Sequence, residues 1–132
     1  IGEGKNFVRT MASLAERGVS PSVVDDQIGR LTFTADLARG IRHLLDVDAP
    51  AGVYNLTGGG EAVSWAQIAA EVYAQTGHDP AQVTGVSTEE YFASASGAVA
   101  PRPRWSVLDL AKIEATGFAP RDWRDSLRAY LG

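Results

Sequence analysis

Val23-Val24-Asp25-Asp26-Gln27-Ile28-Gly29-Arg30-Leu31-Thr32-Phe33-Thr34-Ala35-Asp36-Leu37-Ala38 sets a polar run with a single glycine between two apolar elements. Two β-branched residues end a short extended segment over 22–25, which opens after Pro21. Thr34 is a fitting helix N-cap. Ala35, Leu37, Ala38, Ile41, Leu44 and Leu45 follow at helical spacing and predict a helix over 35–46 with that side buried. A polar loop fixed between a strand and a helix is where binding residues tend to sit.

Upstream, the glycine-rich loop 1–5 leads to Asn6, a plausible N-cap. Phe7, Val8, Met11, Leu14 and Ala15 then recur at helical spacing until Arg17-Gly18 ends the run. Downstream, a turn over 48–52 precedes Val53-Tyr54-Asn55-Leu56-Thr57, a strand by composition, broken by Gly58-Gly59-Gly60. Ser64 caps a helix over 65–75 whose apolar face is Trp65, Ile68, Ala69, Val72 and Tyr73, closed by Gly77. A weaker strand is expected over 82–86 and one helical turn over 89–92. The small-residue stretch 93–100 has no periodicity and is expected to be irregular. Pro101-Arg102-Pro103-Arg104 excludes regular helix and central strand. Ser106 then caps a helix over 107–116, and the last helix, 123–131, places Trp123, Leu127 and Leu131 on one face.

Five helices alternating with two or three short strands, without internal repeat, give an α/β class in the form of a small α+β-like unit. The strands are few and short for a self-sufficient sheet. They are expected to extend, or lie beside, a sheet supplied by sequence outside this chain.

The 132 residues suit one domain, and a hydrophobic fraction of 45% excludes a disordered chain. A net charge of −4 gives no nucleic-acid footprint, so no nucleic-acid partner is expected. Without cysteines there are no disulfides or thiolate metal sites, which fits a cytoplasmic setting. No apolar run approaches the roughly 18 residues of a membrane span, so no membrane partner is expected either. The chain opens at Ile1, not at methionine, and reads as a piece of something longer.

Catalytic constellations do not assemble from these residues. His43 and His78 lie in unrelated places with no serine or carboxylate at a telling spacing, and a structural or surface role is the plain expectation. Gly2-Glu3-Gly4-Lys5 has the wrong spacing for a phosphate loop, and Gly58 to Gly60 lacks the dinucleotide spacing. No catalytic residue and no metal ligand is therefore assigned within the chain. Asp25 and Asp26 are neighbours in an extended segment and point to opposite faces, against a shared catalytic dyad. One of them turned inward would hold a loop or helix end by hydrogen bonds, and Gln27 and Thr32 would support that loop or reach a sugar hydroxyl. Arg102 and Arg104 flank Pro103 ahead of a capped helix, a setting that suits a phosphate; two solvated surface arginines are the plain alternative. Trp105 either stacks or packs.

Six phrases occur in order: Gly4-Lys5-Asn6-Phe7-Val8-Arg9-Thr10-Met11, Val24-Asp25-Asp26-Gln27-Ile28-Gly29, Asp36-Leu37-Ala38, Gly52-Val53-Tyr54-Asn55-Leu56, Ser64-Trp65 and Arg102-Pro103-Arg104-Trp105-Ser106-Val107-Leu108-Asp109. Together they resemble the C-terminal part of dTDP-4-dehydrorhamnose reductases, of the extended short-chain dehydrogenase/reductase superfamily. The resemblance covers nearly the whole chain and rests on order and spacing, since each phrase alone is weak.

It implies an enzyme that reduces the 4-keto group of dTDP-4-dehydro-6-deoxy-L-mannose (dTDP-6-deoxy-L-lyxo-4-hexulose) with NADPH or NADH, giving dTDP-L-rhamnose. It also implies that residues 1–132 are the substrate-binding C-terminal domain, with the cofactor-binding Rossmann half missing. Asn6 and Phe7 would begin a helix bordering the nucleotide-sugar pocket, and Asp26 and Gln27 would lie in the loop approaching it. Arg102 would reach the diphosphate, and Trp105 beside it completes the substrate-binding candidates. The expected partners are a dTDP-sugar and the chain's own Rossmann domain, with a homodimer possible through apolar faces that lack that domain.

Two departures stand out. Leu31 occupies a position where the family usually has proline, which points to a less rigid loop, and the stretch before Arg102 is richer in alanine and serine than the family pattern. The family's Tyr-x-x-x-Lys pair and glycine-rich cofactor loop are absent; Lys5 and Lys112 are the only lysines. The chain alone is thus expected to be inactive and to bind no cofactor. An epimerase or dehydratase of the same superfamily and a non-enzymatic binding domain are the alternatives.

Overall fold

The structure is a computed structural model, and it describes residues 1–95 and 97–132. Helix α1 (Phe7–Glu16) starts where Asn6 accepts a hydrogen bond from the Arg9 amide at 3.1 Å, and Gly18, at φ 65°, turns the chain away from its end. Strand β1 (Ser22–Val24) and the two-residue β2 (Ile28–Gly29) bracket the polar loop. Helix α2 (Thr34–Asp46) follows, then β3 (Val63–Ser64) and helix α3 (Trp65–Gln75). A 3₁₀ turn (Pro80–Gln82) leads into β4 (Thr84–Val86) and the short helix α4 (Thr88–Phe92). Helices α5 (Ala111–Glu114) and α6 (Trp123–Leu131) complete the fold.

β1 pairs with β4 in parallel, Ser22 opposite Thr84, while β2 pairs with β3 antiparallel, Ile28 opposite Ser64. The class is mixed α and β, as the sequence predicts.

Helix α3 is the hub. Its Ser64 cap forms a reciprocal capping box with Gln67, and it packs against α1, α6 and both β1 and β4. Ile68, Ala69, Val72 and Tyr73 meet Val8, Met11 and Ala15 of α1 and Trp123 and Leu127 of α6 in one apolar cluster. Full burial of each large side chain here is worth about 1.5–3 kcal/mol. Leu110, Ile113 and Phe118 form a second, smaller cluster with partly buried Leu44, Tyr54 and Leu56. Among the described residues no helix is long and apolar enough to cross a membrane.

Several expectations need correction. Thr34 is the first helical residue, not the cap; Phe33, drawn to that position by burial of its ring in the core, has no acceptor to offer, so α2 lacks a side-chain cap. The apolar side of α2 is buried only in part, with Leu44 packed on the second cluster. Ile41 is 57% exposed and Leu45 73%, while Asp36 and Gly40 face inward. The physical reason is that nothing among the described residues covers the Ile41 and Leu45 positions of that stripe. Residues 53–57 pair with no strand among the described residues, and Val53 is 82% exposed. The helix expected over 107–116 shrinks to α5, because Ser106 donates its amide to the Ile28 carbonyl at 2.8 Å instead of capping. Leu110 stands at the cap position of α5 with no side-chain cap, and the Asp109 carboxylate just before it accepts from the Ala111 amide at 2.9 Å. Ser96, within the stretch 93–100 expected to be irregular, lies outside the described residues.

Candidate functional site

A cavity of about 340 Å³ opens between α1, β1, the first residue of α3, α4 and the loop at Arg102. Helix α1 presents Phe7, Thr10, Met11 and Leu14 to it, the i, i+3, i+4, i+7 spacing of one helical face. Trp65 enters because the Ser64 cap fixes the start of α3, and its indole meets the Phe7 ring edge-on with centroids 4.8 Å apart. Tyr91 and Phe92, themselves edge-to-face at 5.0 Å, close another side, and Gln27 and Arg102 supply polar groups. Arg102 is exposed and forms no ion pair among the described residues. The lining is aromatic and aliphatic with a few convergent polar groups, the usual make-up of an organic-ligand site.

Of the six residues singled out from the sequence, Phe7, Gln27 and Arg102 line this cavity. Asn6 does not. Its amide nitrogen donates to the Gly2 carbonyl at 2.9 Å and the Tyr130 hydroxyl at 2.9 Å, while its oxygen caps α1, so the side chain ties the entry loop to α6. Trp105 also lies outside, 65% exposed, with its backbone bridged to Ile28.

Asp26 stands behind the wall. Its Oδ1 accepts from the Thr88 hydroxyl at 2.5 Å and from the Thr88 amide at 3.1 Å, at the start of α4. This is the inward aspartate that holds a helix end. The Thr88 hydroxyl bond, foremost, holds the Asp26 carboxyl below the usual carboxylate range, helped by the Thr88 amide and by Arg104. Gln27 donates to the same Thr88 oxygen at 2.9 Å. Asp25 points away and lies against Gly85 of β4, where an added Cβ would meet its carboxylate at 2.8 Å.

Leu31 departs from the pattern in a way the structure makes concrete. Its side chain is buried in the main cluster, so packing anchors the loop where a proline would stiffen it. The helix N-terminus imagined beside Arg102 is not there, since α5 starts only at Ala111. The anion argument for Arg102 thus rests on its unpaired charge and its place at the cavity.

Both histidines make hydrogen bonds within the fold. The His43 ring nitrogen lies 3.0 Å from the Thr116 hydroxyl and its ring packs on Phe118, while His78 pairs with Thr76 at 3.1 Å. Among the described residues no three His, Asp or Glu side chains gather as a metal site.

Thr88, Tyr91 and Phe92 are absent from the sequence-derived set. A signal for α4 was legible: Ser87 followed three residues later by Glu90 is a capping box, and both bonds form. That the box would bring two aromatics to a cavity built largely by α1 is a tertiary fact.

The family model described as the RmlD substrate binding domain matches residues 2–132. The spore coat polysaccharide biosynthesis protein SpsK of Bacillus subtilis is 41% identical over 128 residues, 97% of this chain and 42% of that protein. A dTDP-4-dehydrorhamnose reductase of Streptomyces griseus is 41% identical over 129 residues, 94% of this chain and 40% of that protein. The crystal structure of a dTDP-4-dehydrorhamnose reductase from Bacillus anthracis, in complex with NADP, superposes with a TM-score of 0.85 at 32% identity, covering 99% of this chain and 44% of that one. The chain therefore spans less than half the length of the relatives it matches. Since the match runs through every element described above, the chain belongs to the family of RmlD substrate binding domains.

Proposed function

We propose that this chain is the substrate-binding part of a dTDP-4-dehydrorhamnose reductase, which reduces dTDP-4-dehydro-6-deoxy-L-mannose to dTDP-L-rhamnose with NADPH or NADH. The observation that carries the reading is the cavity itself. It joins residues from separate family-like phrases, Phe7, Gln27, Trp65 and Arg102, with apolar ring surface and an arginine that has no counter-charge among the described residues. Aromatic faces suit a nucleotide's base, and a guanidinium suits its diphosphate. The part played here is to bind and orient the sugar nucleotide.

The cofactor, the tyrosine acid and its lysine belong to sequence outside this chain, which by itself is inactive. The uncovered side of α2, with Ile41 and Leu45, and the unpaired stretch 53–57 are the surfaces that would dock on that cofactor-binding half. In its absence they would support association of two copies. The setting is cytoplasmic.

The test uses the full-length protein that contains this segment. Calorimetric titration with dTDP should give saturable binding that Arg102→Ala weakens by about tenfold or more, as loss of a charge-assisted hydrogen bond would. NADPH oxidation should follow addition of the 4-keto sugar nucleotide. Unchanged affinity in the variant removes the role given to Arg102, and no oxidation of either nicotinamide removes the reductase reading.

A further inference from the structure

The loop 26–28 grips both ends of the chain between α4 and Trp105. At one end the Asp26 carboxylate accepts two hydrogen bonds from Thr88 and the Gln27 amide donates a third. At the other, the Ile28 amide donates to the Arg104 carbonyl at 2.8 Å and the Ser106 amide donates to the Ile28 carbonyl at 2.8 Å. Three consecutive residues thus fix two segments distant in sequence. Between the two grips, and within a few residues of each, lie the side chains that reach the cavity from this stretch: Tyr91 and Phe92 after the first, Arg102 before the second. α4 is only five residues long and none of them is fully buried, so packing alone fixes it weakly. Its placement depends on its start, which Asp26 holds. Thr88 sits where all three hydrogen bonds of the first grip converge, and its hydroxyl both donates to Asp26 and accepts from Gln27.

We propose that Asp26 and Thr88 are positioning residues: their contact sets Tyr91 and Phe92, and with the Ile28 grip Arg102, at the cavity wall, so that they act on ligand affinity without touching the ligand. The inference rests on the proposed reading that this cavity takes a dTDP-sugar. It assigns the Asp-Gln pair a task different from direct contact. Gln27 lines the cavity and braces Thr88; Asp26 reaches the ligand only through Thr88 and what Thr88 carries. A carboxylate held below its usual pKa by the Thr88 hydroxyl is in keeping with a bond that forms in the charged state.

The experiment uses the full-length protein and two readouts. The first is dTDP affinity by calorimetry for Thr88→Val, which keeps the shape and loses the hydroxyl, for Thr88→Ser, which restores it, and for Thr88→Val combined with Arg102→Ala. The expected pattern is about tenfold weaker binding in Thr88→Val. Thr88→Ser should bind near the parental affinity. The Thr88→Val effect should be clearly smaller once Arg102 is gone, since neighbours acting through one another are not additive. Parental affinity in Thr88→Val, or the same fold-loss with and without Arg102, would overturn the proposal.

The second readout needs no ligand. Amide exchange followed by mass spectrometry in Thr88→Val should speed up over residues 88–95 while helix α3 keeps its protection. Unchanged exchange there overturns the fastening. If the parent protein does not bind dTDP at all, the reading of the cavity fails, and the exchange measurement still decides whether Thr88 fastens α4.

Discussion

Ser126→Ala should be among the costliest single-atom deletions in this chain. Asp36 is 4% exposed at the start of α2 and Ser126 is 4% exposed on α6, and the serine hydroxyl donates to Asp36 Oδ2 at 2.5 Å. The other carboxylate oxygen accepts from Arg39 at 3.0 Å, but that arginine is 44% exposed. A half-solvated pair of this kind contributes about 0–1 kcal/mol. The buried bond contributes more: a hydrogen bond to a charged group is worth about 1.5–3 kcal/mol, and its removal leaves a desolvated oxygen without a donor. We expect that loss in full, because the alanine methyl brings no donor. For a chain of this size, about 4 °C per kcal/mol gives a fall of roughly 6–12 °C in Tm.

The assay is urea unfolding followed by circular dichroism, with Ser13→Ala on the exposed face of α1 as the surface control. A double-mutant cycle with Asp36→Asn should return a coupling of at least about 1 kcal/mol. A Ser126→Ala loss below about 0.5 kcal/mol, the range of the surface control, would refute the reasoning and mean that water replaces the hydroxyl. The water's route would be the cavity of about 220 Å³ that both residues border.

Three further outcomes are expected. The Tyr73 phenol is pushed above its ordinary value of 10.0, chiefly by burial, with Arg17 opposing. Its stabilising share is therefore whole below pH 10 and is lost as pH rises through the raised value. Tyr73→Phe gives up the bond to the Val19 carbonyl, about 1 kcal/mol at neutral pH, and its urea midpoint should then fall less than the parent's between pH 9 and about pH 11. The Asp26 carboxyl is depressed, so its share is present above the unfolded-chain value near 3.8 and is lost as pH falls through the folded one; Thr88→Val should lose less stability on acidification from about pH 5 to pH 3 than the parent, read from urea midpoints. Gly58→Ala drives a methyl into the Leu31 carbonyl oxygen, a backbone atom that cannot rotate away; a loss of about 1–3 kcal/mol is expected in the same unfolding assay.

Where the sequence was legible, one strong local signal decided the matter. Asn6 and Ser64 cap helices because their side chains satisfy amides three residues on, and Trp123 and Leu127 share a buried face because helical spacing puts them there. Local reading failed where a distant segment took over. Ser106 has the composition of a cap but is drawn into pairing with Ile28, and β2 and β3, two residues each, are too short for any pattern to show. The α2 stripe leaves Ile41 and Leu45 exposed and the stretch 53–57 finds no strand partner among the described residues, although Leu44, Tyr54 and Leu56 pack on the second cluster. At the site, residue types reported the polar loop and the arginine. They did not report that Asn6 turns its amide toward Tyr130, or that the two aromatics of α4 face those at the starts of α1 and α3.

The tie between the entry loop and α6 has a consequence for how the molecule is made. The Tyr130 hydroxyl donates to the Gly2 carbonyl at 2.7 Å across a sequence separation of 128 residues, and Ser126 closes on Asp36 across 90. During synthesis, α1 and α3 can meet early and the Thr34 amide can donate to the Ile1 carbonyl, but the entry loop is not fastened to α6 until α6 leaves the ribosome. Contacts of such long range close late and slowly, because loop entropy must be overcome before they reward the chain. β1 likewise presents an open edge until β4 emerges, and the interval before that pairing is the time at which this chain is most exposed to misassembly.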